Sequence, residues 1–138
     1  MSIYGLSIEE SSNSTKSILN QISNRIQILY SHMLKYKYQQ NKQTSSWIKT
    51  ILEQSRSIQP YISKNSILNK ITPDFIYSCY KNAIVQATKE TNLNTNIFPK
   101  QIPDEWGNVN NLVNDQWLHN YLIENAYSRD AKIFLNIN

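Results

Sequence analysis

Residues 14–38 read STKSILNQISNRIQILYSHMLKYKY, and apolar side chains recur in this stretch at intervals of three and four positions. In an α-helix, this spacing keeps one stripe of side chains on the same face, directed toward a core. The stretch therefore predicts a long amphipathic helix. The positions that form its stripe are Ile18, Ile22, Ile26, Leu29, Met33 and Tyr36.

A second helix is predicted after the polar run at residues 39–46. Ser45 or Ser46 is expected to cap it, because a serine hydroxyl accepts a hydrogen bond from a free N–H of the first turn. Pro60 should bend or end this helix, since proline lacks the N–H that the helical ladder needs. The apolar positions of the segment are Trp47, Ile48, Ile51, Leu52, Ile58 and Ile62.

The tripeptide Thr72-Pro73-Asp74 predicts the start of a third helix. Threonine serves as the N-cap, proline suits the first helical position, and aspartate complements the positive end of the helix dipole. The helix should end near Thr91, where Asn92 is the candidate for a left-handed C-cap. Its apolar face includes Cys79, which we expect to be buried as a small hydrophobic residue.

A polar loop with apolar side chains at intervals follows at residues 93–108, and we expect it to pack across the helices. A last helix is predicted from about Asn110 or Asp115 onward. Its apolar members are Leu112, Trp117, Leu118, Tyr121, Leu122, Ile133 and Phe134. No segment alternates with period two, so the sequence predicts an all-α fold, a four- or five-helix up-and-down bundle, as one domain over residues 1–138.

The composition narrows the classes of function. The chain has 138 residues, a formal net charge of +4, two glycines, two histidines and one cysteine. A single cysteine cannot form an internal disulfide and favours a reducing cytoplasm. The chain has too few glycines to build a phosphate-binding loop, and too few histidines and cysteines to build a metal site. Because of this, we expect no metal and no cofactor. No apolar stretch approaches the ~18 residues of a membrane span, so we also expect no membrane segment.

The positive charge is concentrated between residues 25 and 70, which hold eight basic residues and one acidic residue, a net charge of +7. Such a segment, with tyrosine and tryptophan between the lysines, is a candidate for binding a nucleic-acid backbone. A solvated helical surface is the alternative, and we favour it because the charges are spread along two helices. The candidate nucleic-acid-binding residues are Lys35, Lys37, Lys42, Lys49 and Arg56.

Arg25 and His32 are the candidate catalytic pair. Seven positions make almost two helical turns, so both side chains point the same way along the first helix. The pair resembles the active residues of helical ribonucleases of the higher-eukaryote-and-prokaryote nucleotide-binding group, in which arginine holds phosphate and histidine assists the 2′-hydroxyl attack. The alternative is structural: the histidine packs with one nitrogen bonded and the arginine extends to solvent. We favour the structural alternative, because no third polar partner is evident.

Residues 25–47, RIQILYSHMLKYKYQQNKQTSSW, resemble the signature of the bacterial domain-of-unknown-function 29 family, roughly R…LL.HLLKW.YQP..RS.SW. Further matches extend the resemblance to about residues 25–118, with residues 1–24 as a shortened N-terminus and residues 119–138 as a C-terminal helical extension. The resemblance implies a small, cytoplasmic, helical protein of bacterial type and no particular activity. The matching segments are Ile51, Glu53-Gln54, Arg56, Tyr80, Ala83, Glu90-Thr91-Asn92-Leu93, Phe98-Pro99, Ile102-Pro103, Leu112 and Trp117-Leu118.

The resemblance has departures. Gln40 stands at the family's proline, Ile102 at its cysteine and Asn92 at its glycine. Because Ile102 replaces the cysteine, no metal or redox role is expected at that position. We also expect the extension, residues 118–138, to pack where the family's additional N-terminal segment would lie.

Two functions remain open. The favoured one is a non-enzymatic protein-interaction module, working through another protein or through self-association. The alternative is an RNA-binding or metal-independent ribonuclease-like domain that uses Arg25 and His32. The polar run at residues 36–46 either caps the next helix or docks a partner. Tryptophans at 47, 106 and 117 are expected to anchor the core.

Overall fold

The computed structural model describes residues 3–64 and 67–138, with side chains from Ser14 onward. It contains only helices and loops within those ranges, so the all-α prediction is confirmed. Four long helices and two short ones follow one another, because the predicted last helix is divided into three. They are α1 (Ile3–Tyr38), α2 (Ser45–Ser63), α3 (Pro73–Thr91), α4 (Val109–Leu112), α5 (Asp115–Glu124) and α6 (Arg129–Phe134).

The cap of α2 differs from the prediction of Ser45 or Ser46, which is wrong. Thr44 is the N-cap, in an extended conformation, and its hydroxyl accepts a hydrogen bond from the backbone N–H of Trp47 at 3.3 Å. Ser45 already lies inside the first turn, and its N–H donates to the carboxylate of Asp130 at 2.6 Å. Thr44, Ser45 and Ser46 each carry a hydroxyl that can cap a helix. The contact of Ser45 with Asp130, 85 positions away, cannot be predicted from the local sequence.

Pro60 lies inside α2, which ends three residues later at Ser63. Its missing N–H removes one bond near the exposed end of the helix, where few bonds remain to be lost. The signals around α3 are confirmed. The Thr72 hydroxyl accepts from the N–H of Phe75 at 3.2 Å, and Asn92 has a positive φ of 59°.

The three longest helices follow an up-and-down order. The Tyr61 hydroxyl of α2 donates to Gln21 of α1 at 3.1 Å, near the end of α2, whereas Trp47 at its start lies beside Lys35. α1 and α2 are therefore antiparallel. Gln27 of α1 donates to Gln86 of α3 at 3.4 Å, and Lys35 pairs with Glu90 further along both helices. α1 and α3 are therefore parallel, and α1 packs against both.

The chain from residue 93 onward covers the remaining side of α1. Four buried tyrosine hydroxyls attach it, each donating to a backbone carbonyl of another segment. A buried hydroxyl or carbonyl without a partner costs about 1–3 kcal/mol, so these pairs make the enclosure possible. The pairs are Tyr30 to Trp106, Tyr36 to Leu122, Tyr80 to Pro99 and Tyr121 to Met33.

Burial in the core matches most of the expectations. Phe98 and Trp106 are buried, which confirms that the loop packs across the bundle, and Cys79 is buried too. Two members predicted for the last apolar stripe are not part of the core: Ile133 is 65% exposed and Phe134 39% exposed. The prediction was wrong there because α6 is a separate short helix, and its buried residue is Ala131. Among the described residues, none of the helices has the length and apolar character to cross a membrane.

Candidate functional site

The C-terminal part of α1 brings a charged side chain into the bundle. Lys35 lies where α1, α2 and α3 meet, and its side chain is only 7% exposed. Its ammonium forms an ion pair with Glu90 of α3 and lies 5.2 Å from the ring centroid of Trp47 in α2. A buried ammonium needs such partners, because desolvation of an unpaired charge is expensive. We call these three residues the three-helix junction.

Glu90 is held by more than the lysine. Gln86 donates to its second carboxylate oxygen at 3.0 Å, and the side chain remains 40% exposed. Partial burial alone would raise the pKa of Glu90. The hydrogen bonds from Lys35 and Gln86, together with the charge of Lys35, outweigh burial and hold the pKa below its ordinary value. Glu90 is therefore ionised at neutral pH and serves as the counter-ion of Lys35.

His32 lies one helical turn before Lys35 and is half-buried. Its Nδ1 is 2.9 Å from the backbone carbonyl of Ile28, so the proton lies on Nδ1 and that nitrogen donates. Burial lowers the pKa of His32, the charge of Lys35 lowers it further, and the bond to Ile28 opposes both. The imidazole is accordingly neutral at pH 7, and its Nε2 carries a lone pair.

Arg25 shares α1 with His32 and is also half-buried. It forms no hydrogen bond or ion pair with any residue whose side chain the structure describes. A shallow depression between α1 and α3 is lined by Gln27, Asn82, Val85, Gln86 and Lys89. Neither Arg25 nor His32 lines it.

The candidate nucleic-acid-binding residues are distributed over several environments. Lys35 belongs to the three-helix junction, and Lys37 lies half-buried with its ammonium 5.7 Å from the Tyr38 ring centroid. Lys42 is exposed in the turn after α1. Lys49 and Arg56 lie two turns apart on α2, the first 6.0 Å from the Phe134 ring centroid and the second 4.0 Å from the Asp115 carboxylate. Seven positions make almost two helical turns, so Lys49 and Arg56 share one face of α2, whereas Lys35 is enclosed in the three-helix junction.

The polar run between α1 and α2 binds the chain's own C-terminal segment. Gln43 is 3% exposed, and its amide donates to the carbonyls of Tyr36 and Asn125, both at 2.7 Å. Its amide oxygen accepts from the N–H groups of Tyr127 and Ser128 at 2.9 and 3.1 Å. Sequence reasoning missed this role, since Asn125, Tyr127 and Ser128 are more than 80 positions away along the chain.

A groove of about 450 Å³ lies on the C-terminal side of the molecule, and we call it the acidic groove. One wall is the short turn Asp104–Gly107, and the other is a face of α5. Trp117, Tyr121 and Glu124 share that face because they are spaced four and three positions apart. The lining residues are Lys37, Pro103, Asp104, Glu105, Trp106, Trp117, Asn120, Tyr121, Glu124 and Asn125.

Local capping sets the position of this aromatic wall. Asn114 caps α5, and its side chain accepts from the N–H of Trp117 at 2.9 Å. The rings of Trp117 and Tyr121 are stacked, with centroids 6.2 Å apart and an interplanar angle of 13°. Trp106 meets Tyr121 edge to face at 5.5 Å from the buried side. The expectation that all three tryptophans anchor the core therefore fits Trp106, whereas Trp47 and Trp117 are only partly buried.

The charge of the acidic groove is unbalanced. Three carboxylates line it against one ammonium, that of Lys37. Glu105 accepts from the indole N–H of Trp117 at 3.2 Å, whereas Asp104 and Glu124 form no ion pair with the side chains that the structure describes. Groups of three histidine, cysteine or acidic side chains able to hold a metal ion are absent from the same set. The groove therefore carries an excess of negative charge.

Comparison with known proteins gives a match to a described family over most of the chain. Residues 7–118 match the family described as "Domain of unknown function DUF29". This range contains residues 25–118, which carry the resemblance, and it begins 18 positions before residue 25. No curated protein and no solved structure gives a significant match. The junction residues Lys35, Trp47 and Glu90 all lie within the matched range. Because the match covers most of its length, the chain belongs to the DUF29 family.

Proposed function

We propose that this protein is a non-enzymatic interaction module, and that the acidic groove binds a cationic side chain of a partner protein. The observation that carries the proposal is the excess of carboxylates over cations beside a stacked pair of aromatic rings. A carboxylate attracts an ammonium or guanidinium group, and the face of a tryptophan ring attracts it further. The cytoplasm of a bacterium is the proposed location, from the single buried thiol and the family resemblance.

The groove is open, so solvent screens its charges. An exposed ion pair contributes about 0.2–1 kcal/mol and a cation–π contact about 0.5–1 kcal/mol. Two carboxylates and one ring acting on a single cation therefore give weak binding from one side chain. We expect the affinity to fall as salt is added, because mobile ions screen exposed charges beyond about 10 Å at 0.1 M.

A matched pair of peptides tests the proposal. An acetylated tripeptide with central arginine carries a positive side chain, and the same peptide with citrulline is nearly isosteric but neutral. The indole N–H resonance of Trp117 should shift on titration with the arginine peptide and not with the citrulline peptide. The double substitution Asp104→Asn and Glu124→Gln should abolish the shift, while Glu53→Gln, a change on the exposed face of α2, should leave it intact. Equal shifts from both peptides would refute the proposal.

Ribonuclease-like activity through Arg25 and His32 is the second candidate. The observation that favours it is the neutral imidazole of His32, held by Ile28 at Nδ1 with its Nε2 able to accept a proton. Cleavage of single-stranded RNA is the test. Activity in the purified protein that disappears in His32→Ala supports this candidate, and activity that persists there assigns the cleavage to a contaminant.

A further inference from the structure

A second cavity lies close to the acidic groove and differs from it in chemistry. Its volume is about 190 Å³, and no charged side chain lines it. It lies between the start of α3 and the start of α4, and we call it the apolar hollow. Its lining residues are Ile71, Pro73, Ile76, Ile102, Gly107 and Val109.

One short stretch of chain separates the two cavities. Residues 103–106 line the acidic groove, whereas Ile102 before them and Gly107 and Val109 after them line the apolar hollow. The turn Asp104–Gly107 is thus a wall shared by both. A helical turn with its side chains is about 10 Å thick, and this thickness sets the scale of the separation between the two cavities.

We propose that the partner segment has two anchors: a cationic side chain in the acidic groove and an aliphatic side chain in the apolar hollow. This inference rests on the proposed function and specifies the partner's sequence. A peptide in the polyproline II conformation advances about 3.1 Å per residue with three residues per turn, so two anchors three positions apart lie on the same face and about 9 Å apart. The partner is therefore recognised by a lysine or arginine and a leucine-like residue at that spacing.

The size and lining of the hollow support an aliphatic occupant. An apolar cavity of about 150 Å³ in another protein takes up benzene, so 190 Å³ accommodates a branched aliphatic side chain. Charge complementarity selects the cation at the other end of the same segment, and the shared wall joins the two requirements. The expected gain from the second anchor is about tenfold in affinity, the equivalent of partial burial of one leucine side chain.

Peptides with one arginine and one leucine separated by one to five serines, in both orders, test the spacing. Each has a partner peptide in which serine replaces the leucine, and fluorescence anisotropy gives the dissociation constants. We expect the leucine peptide to bind about tenfold more tightly than its serine partner when two serines intervene, and the advantage to decline at longer and shorter spacings. Absence of a leucine advantage at every spacing overturns the inference, while the arginine and citrulline comparison decides the proposed function separately.

A substitution in the hollow provides the matched test on the protein. A β-carbon added at Gly107 meets no atom within 4 Å, and Gly107 does not have a positive φ. The β-carbon of Gly107→Leu therefore enters open space at the wall of the hollow, without a clash at that atom. The leucine advantage should vanish in Gly107→Leu and persist in the control Ser78→Leu on the exposed face of α3. A leucine advantage that survives Gly107→Leu overturns the inference. A dimer that covers both cavities, and that added peptide does not dissociate when followed by light scattering, overturns it as well.

Discussion

The three-helix junction and the acidic groove both set carboxylates beside tryptophan, and they differ in whether a cation of the chain is paired with those carboxylates. At the junction, the ammonium of Lys35 lies between Glu90 and the ring of Trp47. In the groove, Asp104 and Glu124 border Trp117 without an ion-pair partner among the side chains that the structure describes. The comparison shows that the same residue types hold helices together in one region and are left without an ion pair in the other. The difference is whether a cation of the chain pairs with the carboxylate.

Gln43→Ala tests whether the two regions depend on each other, and we expect it to have the largest effect. The substitution removes the partners of Asn125, Tyr127 and Ser128, which connect the groove side to the end of α1. One buried and three partly buried backbone groups lose their hydrogen bonds, so the free energy of unfolding should fall by about 3 kcal/mol. Urea denaturation measures the loss. Gln40→Ala, which removes one longer bond of 3.3 Å to Asn125, is the control and should cost under about 1 kcal/mol.

Glu90→Gln tests the junction alone. It leaves the ammonium of Lys35 buried without a counter-ion, and we expect a loss of about 2 kcal/mol, reduced from fully buried pairs because Glu90 is 40% exposed. Lys35→Met should cost less, since the remaining carboxylate reaches solvent. If Lys35→Met proves the more damaging change in urea denaturation, the contact with Trp47 outweighs the ion pair.

Acid should weaken the junction by a smaller amount. The pKa of Glu90 is lower in the folded state than its ordinary value of 4.5, so the unfolded chain takes up this proton first as the pH falls. The stability that Glu90 contributes is present above pH 4.5 and is lost as the pH falls through the folded pKa. The free energy of unfolding should therefore decline more steeply below that pH in the wild type than in Glu90→Gln. Parallel curves for the two proteins would contradict the assignment.

The groove carboxylates should have the smallest effect on folding. Asp104 and Glu124 are exposed, and we expect Asp104→Asn with Glu124→Gln to change the free energy of unfolding by less than about 0.5 kcal/mol. The same double variant should lose all binding of the arginine peptide. A large destabilisation would mean that these carboxylates belong to the fold in the way that Glu90 does, and the contrast between the two regions would disappear.

Helices and their caps could be predicted from the sequence to the extent that their signals are local. Thr72 and Asn92 act within one turn of their own positions, and both predictions are confirmed. The junction joins residues up to 55 positions apart, so no local pattern indicates that Lys35 points inward. The groove was missed for a similar reason, although the spacing of Trp117, Tyr121 and Glu124 was visible as one face of a helix. Treating Trp117 as a core anchor concealed it.

The tyrosine contacts of α1 have a consequence for the order of events during synthesis. Tyr36 donates to a carbonyl 86 positions later in the chain, and Tyr30 to one 76 positions later. At about 5–20 residues per second, the ribosome takes roughly 4 to 17 seconds to add the 86 residues from Tyr36 to Leu122. During that interval, the apolar face of α1 has emerged and its final covering has not. Although α1 is translated before α2 and α3, it is therefore among the last helices to be completed, and in the meantime only contacts with α2 and α3 can cover its apolar face.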